Sequence, residues 1–189
     1  MDAYPELLDK EDSLLLLVDV QQTMLANCVA PDRVRQNASI LIDIARILTI
    51  PIILTEQNPR KLGTFLPELT AKSPNPVVFS KNQFGCFENG AIRQAIAATG
   101  RKTIILAGIE AHICIFQTGI GGIQLGYRVH VAADAVSASS QMNLDIGLGR
   151  LRRAGAAISS MEMAIFELLK KADTEEFRNV LPHIKKIAR

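Results

Sequence analysis

No tryptophan occurs among the 189 residues, histidine and cysteine occur three times each, and neither sign of charge dominates, with 21 Lys and Arg against 19 Asp and Glu. Each scarcity excludes something. The basic residues are spread along the chain, so the charge gives no ground for nucleic acid or an acidic membrane as a partner. Cys28, Cys86 and Cys114 are odd in number, widely spaced and free of any C-x-x-C pair, which fits neither a disulfide framework nor a zinc ribbon. They read as three free thiols. The stretch "MDAYPELLDKEDS" is acidic and lacks the basic start, apolar stretch and small-residue cleavage site of a secretory signal. The longest apolar runs are far shorter than the roughly 20 residues that span a bilayer. A soluble, cytoplasmic protein is expected.

What the sequence does have is apolar residues, 48% of the total, enough for one globular domain over residues 1–189 with a real core. Short β-rich runs recur at 13–20, 51–55, 76–80, 102–108, 128–134 and 156–160, predicting six strands. Between most of them lie amphipathic segments such as "PDRVRQNASILIDIARILTI" and "QMNLDIGLGRLRRAG". Apolar strands alternating with helices indicate a parallel sheet covered on both faces. The expected fold is α/β, a three-layer α/β/α sandwich with a six-stranded, parallel, doubly wound sheet. A last helix is expected in "ADTEEFRNVLPHIKKIAR", kinked or broken at Pro182. Residues 56–75, rich in Pro, Gly and polar side chains, read as one long irregular loop of the kind that is usually functional or disordered.

Open α/β sheets bind ligands beyond the carboxyl ends of their strands. The first expected strand ends at Asp19, in "LLLLVDVQQ"; the third ends at Ser80 and Lys81, in "VFSKNQFGCF"; and "LAGIEAHIC" places Cys114 on the opening turn of the next helix. Each residue has an ordinary alternative: a capping Asp, a solvated Lys, a small buried thiol. Together they describe an acyl-transfer site without histidine. A thiol at a helix start near a cation is expected to have a lowered pKa. Asp19 would take its proton and pass it to a leaving amine. Lys81 would hold Asp19 and stabilise negative charge developing on a carbonyl oxygen.

These stretches, with "LAGIEAHICIFQTGIGGIQLGYRVHVAADAVSA", resemble the isochorismatase-like cysteine hydrolase superfamily, and "ILTEQNPRKLGTFLPEL" is similar to its isochorismatase-domain-containing branch. The resemblance implies a Cys114, Asp19 and Lys81 triad. It also implies a cis peptide between Ile109 and Glu110, with the N–H groups of Glu110 and Cys114 as oxyanion-hole donors. Nicotinamidase-type members bind a divalent metal through an Asp-x-His pair and further histidines. His112, His130 and His183 do not supply that pattern, so no metal or other cofactor is expected. Members that hydrolyse isochorismate, a vinyl ether, can lack the cysteine; Cys114 therefore favours a small amide or related acyl compound. The resemblance also implies a homodimer or larger homo-oligomer.

Gln21, Glu56 and Gln57, near the ends of the first two strands, are candidate substrate contacts, and Phe84 and Phe87 a candidate apolar wall, though aromatic clusters are often plain core. Glu110 and His112 either line the pocket or serve through backbone and solvent. Cys28 and Cys86 read as structural. Gly119, Gly121 and Gln124 only approximate a dinucleotide G-x-G-x-x-G and suit close helix packing better. Two alternatives to a hydrolase acting through a thioester remain: a non-catalytic scaffold binding a partner or metabolite, and a vinyl-ether hydrolase releasing pyruvate without Cys114.

Overall fold

Ser13–Val18 is buried at every position, with Leu15 and Leu17 in one apolar cluster and Leu14, Leu16 and Val18 in another. That alternation is the period of a strand whose two faces are both covered. The structure, a computed structural model, describes residues 7–73 and 76–187. Among them are β1 (Ser13–Val18), β2 (Ile52–Gln57), β3 (Val78–Lys81), β4 (Thr103–Ile109), β5 (Arg128–Ser137) and β6 (Ala157–Ser159). They form one sheet in the order β3-β2-β1-β4-β5-β6, with every neighbouring pair parallel.

The helices are α1 (Gln22–Leu25), α2 (Pro31–Ile47), α3 (Pro59–Leu62), α4 (Pro67–Thr70), α5 (Gly90–Ala98), α6 (Phe116–Gln124), α7 (Gln141–Arg153), α8 (Met161–Leu169) and α9 (Glu175–Ile184). Apolar residues of α2, α8 and α9 share a cluster with Leu15 and Leu17, while those of α5, α6 and α7 share one with Leu14, Leu16 and Val18. The fold is a three-layer α/β/α sandwich with a six-stranded, parallel, doubly wound sheet.

Several boundaries differ from the expectation. Strand β1 stops at Val18 because Asp19 turns the chain with φ of 55°, a left-handed conformation for which Asp is one of the more tolerant residues. Helix α8 has no counterpart in the sequence reading; its segment is mostly apolar, and its start is marked by Ser160, whose side chain accepts from Met163 N–H. Residues 56–73 are not one irregular loop, since α3 and α4 lie there and Phe65 pairs with Gln21. Helix α9 does not end at Pro182 but continues to Ile184. Residues 1–6, 74–75 and 188–189 of the stretches discussed above lie outside the described residues.

Candidate active site

The chain lays down β1 to β3 on one side of the sheet and then crosses to β4 on the other, so the strand order reverses between β1 and β4. Ligand sites of doubly wound sheets form outside the carboxyl ends at such a point. Asp19 follows β1 directly, Cys114 lies in the turn after β4, and Lys81 is the last residue of β3. All three are covered, at 0, 2 and 3% exposure respectively.

Asp19 is fixed on both main chain and side chain. Its N–H donates to the Thr55 carbonyl at 2.9 Å, and its own carbonyl accepts from Gln21 N–H at 2.8 Å. Oδ1 accepts from the Thr55 hydroxyl at 2.8 Å and Oδ2 from Lys81 Nζ at 2.6 Å. Lys81 Nζ also donates to Gln57 Oε1 at 2.8 Å and to the Phe84 carbonyl at 3.3 Å. An ammonium has three hydrogens, and here three acceptors take them. Lys81 thus holds Asp19 in place as expected, whereas a direct bond from Lys81 to a substrate oxygen would require one of these partners to be given up.

Cys114 sits in a widened, π-type turn, Ala111–Ile115, where the Glu110 carbonyl accepts from Ile113 N–H at 3.0 Å and from Ile115 N–H at 3.2 Å. The Ile109–Glu110 peptide bond is cis. Helix α7 presses on this turn through Gly147, where a Cβ would lie 2.8 Å from the Ala111 carbonyl oxygen. The neighbouring Gly119 is needed for close approach as well, a Cβ there meeting Leu151 Cδ2 at 2.5 Å, in keeping with a packing role.

The expectation of a lowered Cys114 pKa is overturned. Burial first, and then the negative charge of Asp19, push the thiol well above its ordinary range, with Lys81 pulling the other way and a hydrogen bond to Asp19 adding to the rise. The cation that was expected to favour thiolate is paired with Asp19 instead. Cys114 therefore rests as a thiol beside the Asp19 carboxylate.

The candidate contact residues are engaged within the chain. Gln21 Nε2 donates to the Gln57 carbonyl at 3.0 Å and to the Gly63 carbonyl, and its Oε1 accepts from Gln57 N–H at 2.7 Å. Glu56 accepts from Phe65 N–H at 2.9 Å and from the Ser80 hydroxyl at 2.7 Å. Gln57 braces Lys81, and its Nε2 donates to the Asn82 carbonyl at 3.0 Å. Phe84 meets the site through its carbonyl, with the residue 52% exposed, while Phe87 is buried against Tyr127. Glu110 Oε2 accepts from Ser139 N–H at 2.9 Å and lies 3.9 Å from His112 Nδ1.

Three buried neighbours went unread in the sequence: Thr55, Thr118 and the immediate role of Cys86. Thr55 shares a face of β2 with Gln57, and that alternation is the one signal that pointed to it. Cys86 N–H donates to Thr118 Oγ1 at 3.0 Å, which ties the turn after β3 to α6 one helical turn beyond Cys114. Burial raises the Cys86 thiol to about 11.

Among the described residues no helix is long and apolar enough to cross a membrane. The sequence profile described as the isochorismatase domain matches residues 13–163. Secreted isochorismatase effector Isc1 of Phytophthora sojae is 33% identical over 177 residues, spanning 92% of this chain and 84% of that protein. Isochorismatase domain-containing protein 2 of Bos taurus is 33% identical over 174 residues, spanning 92% and 83%. Among solved structures, YcaC from Pseudomonas aeruginosa, with hexane-2,5-diol and covalent acrylamide, superposes with a TM-score of 0.89 at 28% identity, covering 95% of this chain and 92% of that one. YcaC from Escherichia coli, described as an octameric hydrolase of unknown specificity, superposes with a TM-score of 0.89 at 26% identity, covering 98% and 96%.

Proposed function

The chain belongs to the isochorismatase domain family, a family of isochorismatase-like hydrolases, and on that premise we propose that it hydrolyses a small amide or related acyl compound through a thioester on Cys114. The observation that carries the proposal is the buried pairing of the Asp19 carboxylate with Lys81 at 2.6 Å, beside a Cys114 thiol that feels the charge of that carboxylate. The Cys114 sulfur attacks the carbonyl carbon as Asp19 takes the thiol proton. The N–H groups of Glu110 and Cys114 are the donors for the oxyanion that forms. Asp19 returns the proton to the leaving amine, and the C–N bond breaks. Water then attacks the thioester with Asp19 as base, releasing the acid and the thiol.

Lys81 keeps Asp19 aimed through the step. The covalent acrylamide in the Pseudomonas aeruginosa relative supports a reactive nucleophile and entry of a small amide in a protein of this kind. A homodimer or larger assembly is part of the proposal, supported by the octameric Escherichia coli relative and by exposed apolar side chains one turn apart on α7, Met142 and Ile146.

The test is ammonia release from a panel of small primary amides, with wild-type protein and Cys114→Ala side by side. Release by wild-type protein that disappears in a folded Cys114→Ala supports the proposal. Release retained in the variant contradicts it. Pyruvate formation from isochorismate that is indifferent to Cys114 would replace it with vinyl-ether hydrolysis.

A further inference from the structure

We infer that Thr55 and Cys86 are positioning residues for Asp19, successive donors in a directed hydrogen-bond chain behind the reacting pair that fixes the orientation of the carboxylate. The inference rests on the reading of Asp19 as proton carrier and adds two residues to it. A threonine hydroxyl has one hydrogen, and an ionised carboxylate can only accept. The 2.8 Å contact between Thr55 Oγ1 and Asp19 Oδ1 therefore carries the Thr55 hydrogen. That leaves the Thr55 oxygen to accept, and the thiol that faces it is Cys86, with Sγ 4.0 Å away.

Cys86 is itself held from behind. Its N–H donates to Thr118 Oγ1 at 3.0 Å, which fastens its backbone to α6. The order is Cys86 S–H to Thr55 oxygen and Thr55 O–H to Asp19 Oδ1. Thr118, Cys86, Thr55 and Asp19 are exposed by 1% or less, and in so dry a place no water replaces a lost donor. Oδ1 is thereby assigned to Thr55 and Oδ2 to Lys81, which sets the plane of the carboxylate toward Cys114.

The titratable groups that face Asp19 are Lys81 from β3, Cys86 from the turn after it and Cys114 from the turn after β4. Strand β2 contributes Thr55 and Gln57. Glu56, on the opposite face of that strand, bonds to Phe65 N–H and Ser80. Helix α6 contributes Thr118. A donor to a carboxylate favours its charged form, so the loss of the Thr55 donor is expected to show in how Cys114 reactivity falls with acid.

The test is the rate of Cys114 alkylation by iodoacetamide, itself a small primary amide, followed by peptide mass spectrometry as the pH is lowered. Thr55→Val is expected to move the acid limb of the profile upward by about one to two pH units, and Thr55→Ser to return it. Cys86→Ala is expected to move it the same way by less, with Cys86→Ser close to wild type. Should Thr55→Val fail to fold, the two Cys86 variants decide. A folded Thr55→Val that lowers the rate at every pH with the acid limb in place overturns the inference and leaves the proposed function standing. Wild-type protein in which Cys114 is no faster than Cys28 overturns both.

Discussion

Lys81 Nζ lies 2.6 Å from Asp19 Oδ2 with both side chains fully buried, and that pairing, more than any contact with the thiol, defines the electrostatics of the site. A buried pair is costly to break from one side, because the remaining charge is left without a partner. Lys81→Met is expected to destabilise the fold by about 3–5 kcal/mol, measured by urea unfolding. Adding Asp19→Leu to it should recover much of that loss, since the double variant buries no lone charge. A double variant as unstable as the single one would mean that the loss comes from packing.

Gly147 is the contact through which α7 fixes the nucleophile turn. Gly147→Ala places a Cβ against the Ala111 carbonyl and is expected to cost about 1–3 kcal/mol as overpacking. Since the displaced atoms belong to the turn that carries Cys114, alkylation of Cys114 should slow as well. Unchanged stability and alkylation would show that α7 yields easily and that the turn is held elsewhere.

Gln21 fastens the end of β2 to the segment that follows it through bonds to Gln57 and Gly63. Gln21→Ala leaves the buried Gln57 backbone groups without those partners, at about 1–3 kcal/mol. The expected signature is local: faster amide hydrogen exchange in residues 57–66, with the β4 and β5 amides little changed. Uniform acceleration across the sheet would instead indicate global destabilisation.

Asp12 and His130 predict how stability follows pH. Burial would raise the Asp12 carboxyl, but bonds from Thr103 at 2.7 Å, from Arg128 and from Lys102 N–H at 3.2 Å outweigh it and hold it below the ordinary value. A carboxyl lowered in the fold stabilises above its unfolded value, and that contribution is lost as pH falls through the folded one. For His130 burial is the largest cause and lowers the imidazole, so the unfolded chain takes the proton first and stability declines as pH drops below about 6.5. Urea unfolding at a series of pH values should show two successive losses on acidification. His130→Gln should remove the upper one; a variant that keeps it places its origin in another group.

Much of the fold was legible because Leu14 to Val18, and the runs like it, are apolar at every position, as only a doubly covered parallel strand needs to be. Helix α8 was not, since "MEMAIFELL" is apolar nearly throughout and short enough to pass for a continuation of the strand before it. The residue types of the site were visible at the strand ends, as was the hold of Lys81 on Asp19, but its consequence for Cys114 was not. That Lys81 turns to Asp19 and leaves Cys114 a thiol of raised pKa depends on which partner is nearer in space. Thr55 was hidden for a similar reason: beyond sharing a face of β2 with Gln57, one hydroxyl in a strand carries no signal of which carboxylate it meets.

Asp19→Asn tests the central claim most directly, because the two possible roles of Asp19 predict opposite signs. As a charge alone, Asp19 holds the Cys114 thiol up, so removing the charge would free thiolate and speed alkylation by iodoacetamide. As the base that accepts the Cys114 proton, its removal must slow the reaction, by about 100-fold on the scale of general-base catalysis. The account predicts wild-type Cys114 modified faster than Cys28 and Cys86 at neutral pH, and this advantage lost in Asp19→Asn. Faster alkylation of Cys114 in the variant would contradict it.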